Sequence, residues 1–279
     1  MSVARMFRTL GVAALTLALT MLSLPAGMGA VAARAADEPA PPAASSPAPG
    51  PLARGDEAYA RGDLAAAAAA YDQAFHGTPD KLVALCRLVR AESEMAEDSS
   101  GQSQQRLLSS AVTHGRDAVA AAPDSALGHV WLAVALGRQA LHQGPKSRLA
   151  LAREIKSEVD RGIAINPNIG RAYHVRAAWN RNIASLNFVE RSGAAMLGGV
   201  PKGASMENAV ADFEKAVALE PEYVNHRLEL GRTYHMMHRE ADARRELEKC
   251  IALAPVSSAR DARYQTEARQ LLSRLPRQP

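Results

Sequence analysis

The sequence has few of the features by which enzymes and metal sites are recognised. Its 279 residues include only two cysteines, Cys86 and Cys250. No H-E-x-x-H, G-x-S-x-G or Cys-x-x-Cys motif occurs, and no pair of acids stands out for acid–base catalysis. We therefore predict that the protein is not an enzyme and has no catalytic residue, no cofactor and no metal site.

The chain also has little net charge once its first residues are set aside. The formal charge is +4 at pH 7, and Arg5, Arg8 and Arg34 lie in the first 35 residues without any acid. Subtracting those three charges leaves +1 for the remainder. A near-neutral protein offers no electrostatic reason to bind nucleic acid or an anionic membrane, so neither is predicted as a partner.

Residues 1–35 have the features of a signal peptide. An uncharged run of 15 residues, Leu10 to Leu24, follows two arginines, and Ala33-Arg34-Ala35 places small residues at the positions that a signal peptidase reads. A membrane-spanning helix needs about 20 residues. We predict cleavage after Ala35 and a periplasmic or secreted mature protein. The alternative is an uncleaved inner-membrane anchor, which would be the protein's only membrane contact.

Residues 36–52 are rich in proline and alanine. Proline disfavours both helix and strand interiors, so we predict a disordered linker that separates the signal segment from a folded domain. That domain is predicted to cover residues 53–277.

The folded domain contains a repeat that prolines mark. Each of five prolines follows an alanine-rich apolar stretch, with spacings of 44, 44, 54 and 34 residues: Pro79, Pro123, Pro167, Pro221 and Pro255. A tetratricopeptide (TPR) repeat has about 34 residues in two antiparallel helices and ends near a proline. In the last repeat, Leu230-Gly231-x2-Tyr234 and Ala243-x3-Leu247 match the TPR pattern of small and large residues.

This register predicts an all-α fold, a TPR-type solenoid of about five antiparallel helix pairs plus a C-terminal capping helix. The predicted helices are 53–61, 63–76, 80–97, 102–121, 125–143, 146–165, 169–190, 205–219, 222–236, 239–253 and 259–274. The two cysteines fall on distant repeats, and we predict that they are buried and unpaired.

From Gly128 to Leu275 the sequence carries a more specific pattern. Its parts are Trp131, His174, Trp179, the linker LGGVPKGAS at 197–205 and the segment ENAVADFEKAVALEP at 207–221. In these residues the chain resembles the TPR domain of the regulator of microtubule dynamics family. The resemblance implies the TPR fold and supplies no catalytic residue. Eukaryotic members are described as microtubule-associated, a partner that an exported chain would not meet.

In TPR proteins the first helix of each pair lines a concave groove, and the resemblance assigns residues to that face. We predict a basic, partner-binding groove in which Glu94 is the only acid and which suits a carboxylate or an acidic peptide. The alternative is a solvated face whose arginines pair with neighbouring acids. The predicted groove residues are Arg90, Arg138, Arg171, His174, Arg181, Asn182, Asn225 and Arg232, with His235 beside them.

Two smaller segments are candidate sites. The linker residues Gly198, Gly199, Lys202 and Gly203 precede a helix, and Ser205 is predicted to be its N-cap. This linker is interpreted either as a structural turn or as a grip for a partner or an anion. The segment Tyr234–His238 contains two histidines and two methionines, ligands that suit copper, but two histidines alone make an incomplete site.

These observations favour an exported TPR scaffold that binds a protein or peptide, one that is acidic or has a free carboxylate. One alternative is a metal- or small-molecule-binding protein that uses the His/Met-rich C-terminal repeat. Another is a non-catalytic accessory subunit of an envelope enzyme.

Overall fold

A computed structural model describes residues 49–77, 81–254 and 258–276. In these residues the chain forms twelve α-helices and no strand, which confirms the predicted fold class. The helices are α1 (Pro51–Ala60), α2 (Leu64–Gly77), α3 (Lys81–Glu97), α4 (Gly101–Ala121), α5 (Ala126–Ala140), α6 (Pro145–Ile165), α7 (Gly170–Ala184), α8 (Phe188–Ala195), α9 (Met206–Leu219), α10 (Val224–Met236), α11 (Glu240–Ala252) and α12 (Ser258–Arg274).

The predicted signal peptide, most of the predicted linker, and the repeat prolines Pro79 and Pro255 lie outside the described residues. Helix α1 begins at Pro51, two residues before the predicted start of the domain. Proline suits the first turn of a helix because its missing N–H has no intrahelical partner there. Across the described residues, no helix is both long enough and apolar enough to cross a membrane.

The helices pack as five antiparallel pairs, α1/α2, α3/α4, α5/α6, α7/α9 and α10/α11, and α12 packs on the last pair. Glycines allow close approach within the first and last pairs. A Cβ atom on Gly55 would lie 2.4 Å from Tyr71 Cε1, and one on Gly231 would lie 2.8 Å from Leu247 Cγ. Both large partners are fully buried. The same small-against-large contact therefore closes both pairs, as the repeat register requires.

The fourth repeat differs from the prediction of a single helix over 169–190. Helix α7 ends at Ala184, and residues 188–195 form the separate helix α8. Asn187 starts α8 with a capping box, because its side chain accepts the Glu190 N–H at 3.0 Å while Glu190 accepts the Asn187 N–H at 2.9 Å. Arg191 donates to the carbonyl oxygen of Ala184 at 2.9 Å, which satisfies the end of α7. Helix α8 is therefore an insertion that accounts for the longest proline spacing.

The cysteines behave as small core residues. Cys86 packs with Leu85 and Ala118, whereas Cys250 packs near α10, and both are buried and free. Burial raises the pKa of each thiol to about 12. The prediction that they are buried and unpaired is confirmed.

Helix α12 covers the end of the repeats. Ala268 and Leu275 are buried in the same apolar cluster as Val224 and Leu247 of the last pair. The opposite end of α12 reaches the second repeat, where Arg260 donates to Asp98 Oδ2 at 2.9 Å. The last helix thus contacts both the fifth and the second helix pairs.

Candidate functional site

The contact between α12 and α3 borders an open cavity of about 330 Å³ on the face formed by the first helices of the pairs. Its walls come from α1, α3, α7, the segment before α10, and α12. The lining residues are Tyr59, Arg90, Glu94, Arg171, Glu220, Pro221, Glu222, Tyr223, Arg260, Asp261 and Tyr264. The cavity thus combines three tyrosine rings with three guanidinium groups and four carboxyl groups.

One wall of the cavity is an arginine stacked on a tyrosine. The guanidinium carbon of Arg90 lies 3.6 Å from the centroid of the Tyr59 ring. The Tyr59 hydroxyl donates to Glu94 at 2.7 Å, and burial together with this carboxylate raises the pKa of Tyr59. The buried Nε atom of Arg90 has no hydrogen-bond partner among the described residues. This guanidinium is therefore held by a ring face and keeps an unused donor.

A second arginine lies between two aromatic rings. The guanidinium carbon of Arg171 is 4.7 Å from the Trp131 ring centroid and 4.8 Å from that of Tyr223. Burial acts to lower the pKa of Arg171, but Tyr223 and Glu220 outweigh it, so the pKa is raised and the side chain stays charged. Glu220 accepts the backbone N–H of Arg171 at 3.0 Å. Arg171 is thus fixed by two ring faces and by Glu220, which accepts its backbone N–H and stabilises its charge.

Behind Arg171 two histidines and a carboxylate form a hydrogen-bonded chain. The Nδ1 atoms of His174 and His226 are 2.9 Å apart, and His226 Nε2 lies 3.1 Å from Glu220 Oε2. Burial is the largest cause that lowers the pKa of each histidine, and the positive charge of Arg171 lowers both pKa values further. Two neutral imidazoles satisfy these hydrogen bonds. His174 Nδ1–H then donates to His226 Nδ1, and His226 Nε2–H donates to Glu220.

Three other predicted groove arginines are paired with acids. Arg138 pairs with Glu97, Arg181 Nη2 lies 2.5 Å from Glu229 Oε2, and Arg232 Nη2 lies 3.1 Å from Glu267 Oε2. The prediction counted acids only at the groove positions, where Glu94 is the one acid, whereas Glu97, Glu229 and Glu267 lie at other positions and pair with these arginines. For these three residues the structure agrees with the alternative of paired arginines. Arg90 and Arg171 differ, since neither forms an ion pair within the described part of the chain.

The two asparagines of the predicted groove do not line the cavity. Asn182 is exposed near the end of α7, where its backbone carbonyl accepts the Ser185 hydroxyl. Asn225 is half-buried in α10, and its Oδ1 atom has no partner among the described groups. Of the predicted groove residues, the structure brings only Arg90 and Arg171 to the cavity wall.

The glycine linker after α8 is built as a turn. Gly198, Gly199 and Gly203 have φ angles of 92°, 80° and 86°, which favour glycine. Arg153 donates to the carbonyl oxygen of Gly199 at 2.9 Å, and Lys202 is exposed. The Ser205 side chain accepts the Asn208 N–H at 3.0 Å, so the predicted N-cap is confirmed. These contacts agree with the interpretation of a structural turn.

The histidine and methionine side chains of the segment Tyr234–His238 do not converge on one site. His235 Nδ1 lies 2.9 Å from Glu240, whereas His238 is exposed in the turn, with a φ angle of 58°. Met237 packs on the C-terminal apolar cluster and Met236 is exposed. Across the residues that the structure describes, no group of three or more His, Cys, Asp or Glu side chains is arranged to hold a metal ion.

Several cavity residues were not predicted from the sequence. Tyr59, Tyr223 and Tyr264 come from three separate elements, and Arg260 belongs to the capping helix. Tyr223 closely follows the repeat proline Pro221. The TPR repeat register could therefore have predicted that Tyr223 lies beside the concave face. Nothing local in the sequence indicates that α12 approaches α3.

Comparison with known proteins identifies the family. The model of the regulator of microtubule dynamics protein 1-3 family matches residues 52–276. The chain belongs to this family. It is 29% identical over 191 residues to regulator of microtubule dynamics protein 1 of Bos taurus and 28% identical over 198 residues to that of Caenorhabditis elegans. These matches cover 67% and 71% of this chain, and 60% and 85% of the relatives.

A solved structure agrees with the architecture. A thermophilic TPR protein of Thermus thermophilus matches 78% of this chain and 96% of its own, with a TM-score of 0.57 and 22% identity. At that identity the match shows the fold alone. The TPR solenoid and the family resemblance predicted from the sequence are therefore confirmed, and the family suggests interaction with other proteins.

Proposed function

We propose that this protein is an exported TPR scaffold that binds a peptide segment of a protein partner at the cavity between α3, α7 and α12. The observation that carries the proposal is the composition of that cavity. Rings and guanidinium groups from five parts of the fold converge there, and tyrosine and arginine, together with tryptophan, are enriched among the residues that carry most of the binding energy at protein interfaces.

The hydrogen bonding of the cavity supports binding over acid–base catalysis. Glu94 already accepts from Tyr59, and Glu220 accepts from His226 and from the Arg171 backbone. Both carboxylates thus position other groups. A cavity of about 330 Å³ is at the small end of the range for ligand sites, so it suits the end of a peptide or one of its side chains. The periplasmic or secreted location is the part of the proposal that rests on the sequence of residues 1–35.

An affinity experiment tests the site. The chain beginning at Ala36 is immobilised and exposed to an envelope extract, and captured proteins are compared with those of Tyr223→Ala and of Phe188→Ser/Met196→Ser. The second variant changes α8, where these two side chains are 82% and 89% exposed. We expect capture to be lost with Tyr223→Ala and kept with the α8 variant. The reverse pattern would place the interaction on α8 and refute the cavity as the site.

Export is tested separately. Protein recovered from the envelope should begin near Ala36 when its N-terminus is sequenced. An N-terminus at Met1 or Ser2 would refute cleavage and would favour the retained membrane anchor.

A further inference from the structure

Helix α8 directs its apolar side chains to solvent. Phe188, Val189 and Met196 are 82%, 75% and 89% exposed, and no residue of the helix is buried. Met196 follows the helix as its C-cap and keeps helical backbone angles. Because successive residues are about 100° apart around a helix, these three side chains lie on one side, the apolar face of α8. A surface helix of a soluble protein normally turns such a face toward the core.

Hydrogen bonds hold α8 in this orientation. Arg191 lies outside the apolar face and donates to the carbonyl oxygens of Ala184 and Leu186, both at 2.9 Å. Beyond the C-terminal end of the helix, Arg153 of α6 donates to the carbonyl oxygen of Gly199 at 2.9 Å. The capping box described above fixes the first turn. Polar groups therefore attach α8 to the repeats and leave its apolar face outward.

The basic residues around α8 have no acidic partner. Arg153, Arg191 and Lys202 are exposed, and none of them forms an ion pair within the described ranges. The segment 185–205 contains one acid, Glu190. Three cations and one acid leave a surplus of two positive charges at this surface, although the chain beyond residue 35 carries only +1 in total. Basic side chains beside an apolar face are typical of helices that lie on anionic bilayers.

The size of the apolar face favours a bilayer over a protein surface. An aromatic side chain buries about 150–250 Å². Phe188 with the smaller Val189 and Met196 therefore contributes less than the roughly 800 Å² that each partner buries in a stable complex. A bilayer needs no complementary shape, since each apolar side chain that enters it adds to binding in proportion to its area. Anionic headgroups also match the positive surplus, whereas a second copy of the same surface would repel it.

We propose that α8 is an interfacial helix that binds this protein to the surface of an anionic phospholipid bilayer. The apolar face enters the headgroup region, and the three basic residues lie near the lipid phosphates. The helix has eight residues, whereas a spanning helix needs about 20, so it lies on the bilayer without crossing it. No residue of α8 lines the cavity, and the inference is therefore independent of the proposed function.

Vesicle binding tests the proposal. The chain beginning at Ala36 retains every described residue and lacks the apolar run Leu10 to Leu24, so that run cannot contribute. It is titrated with vesicles of phosphatidylcholine alone and of equal parts phosphatidylcholine and phosphatidylglycerol, and bound protein is measured by flotation. We expect at least about tenfold tighter binding to the anionic vesicles, because the two surplus charges are attracted to their surface. That binding should weaken as salt is raised.

Variants assign the binding to α8. Phe188→Ser/Met196→Ser should weaken binding to anionic vesicles at least about tenfold, because two apolar side chains no longer leave water. Leu141→Ser/Met236→Ser is the matched control, since it removes two side chains at the ends of α5 and α10 that are 64% and 41% exposed. Its affinity should stay within about twofold of the unchanged chain. Lys202→Gln should weaken binding to anionic vesicles about fivefold and leave neutral vesicles unaffected.

A fluorescent reporter detects insertion. Phe188→Trp places an indole on the apolar face, whereas Trp131 is half-buried and Trp179 is buried. With anionic vesicles, the emission of this variant should shift to shorter wavelength and be quenched by brominated lipid. The unchanged chain should show neither effect. Quenching that is the same in both chains would contradict insertion of α8.

Three results of the vesicle experiment would overturn the inference: equal binding of the unchanged chain and Phe188→Ser/Met196→Ser, equal binding to neutral and anionic vesicles, or no binding to either. A dimer that sedimentation detects and that Phe188→Ser/Met196→Ser dissociates, without vesicle binding, would assign the face to a second copy instead. If Tyr223→Ala abolishes capture while vesicles are not bound, the proposed function stands and this inference fails.

Discussion

The close approach of paired helices at Gly231 gives a stability prediction whose sign can be worked out. In Gly231→Ala the added Cβ atom would lie 2.8 Å from Leu247 Cγ, 2.9 Å from Leu247 Cδ2 and 3.3 Å from the Ala243 carbonyl oxygen. Carbon atoms in favourable contact are about 3.5–4.0 Å apart. Leu247 is fully buried, so either it or the helix backbone must move.

Two terms of opposite sign set the magnitude. Overpacking a core typically costs about 1–3 kcal/mol, and replacing glycine by alanine within a helix contributes about 1 kcal/mol of stability. The net loss for Gly231→Ala is therefore about 1 kcal/mol, with Gly231→Leu at about 3 kcal/mol because three further carbons enter the same space. For a domain of this size, 1 kcal/mol corresponds to about 2–4 °C in Tm.

The assay is thermal unfolding followed by far-ultraviolet circular dichroism, with Gly137→Ala as the matched control. Gly137 lies inside α5, and a Cβ atom there would have nothing within 4 Å. That substitution should raise Tm while Gly231→Ala lowers it. In a Leu247→Ala background, Gly231→Ala should destabilise much less, because the two closest atoms, Leu247 Cγ and Cδ2, are gone. Equal effects at the two glycines, or the same loss in both backgrounds, would refute the steric argument.

Three further predictions concern buried polar groups and thiols. Arg260→Ala should lower the unfolding free energy by about 2 kcal/mol because it removes charge-assisted hydrogen bonds to Glu97 and Asp98, which keep Arg138 and Arg263 as partners. Arg263→Ala, whose side chain is 49% exposed, should cost less than about 1 kcal/mol in urea unfolding. Burial lowers the pKa of His174 and His226, so the unfolded chain takes up protons before the folded chain does as pH falls. The unfolding free energy should therefore be highest above about pH 6.5 and should decrease at lower pH, by up to about 1.4 kcal/mol per pH unit per histidine. The difference between the pH profiles of the unchanged chain and His174→Asn measures that effect, and parallel profiles would contradict it. Both cysteines should resist a thiol reagent until the chain unfolds, which mass spectrometry would detect as labelling only in denaturant.

The repeat architecture could be predicted from the sequence because its signals are local. A glycine and its large partner sit within one helix pair, and a proline follows each pair, so spacing alone places them. Helix α8 was missed although its signal is also local. The pattern of Asn187 followed by Glu190 is a capping box, but the predicted helix was continued through it because its span was extrapolated from the repeat register.

The charges on the concave face could be predicted only in part. The pairing of Arg232 with Glu229 joins residues three apart in one helix and is readable from the sequence. The pairing of Arg138 with Glu97 depends on how two repeats pack, and that of Arg260 with Asp98 joins positions far apart in the chain. Such contacts depend on the cumulative rotation of the repeats, which spacing does not determine.

The position of α12 decides what kind of segment can reach the cavity. Arg260 is almost fully buried and contacts both Glu97 and Asp98 of the second repeat. A long segment lying along the concave face would have to displace this contact and leave buried charges unpaired, which is costly. A terminal residue needs no such displacement, because the cavity is open beside α12. The same contact that narrows the groove therefore favours recognition of a chain end over recognition of an internal stretch.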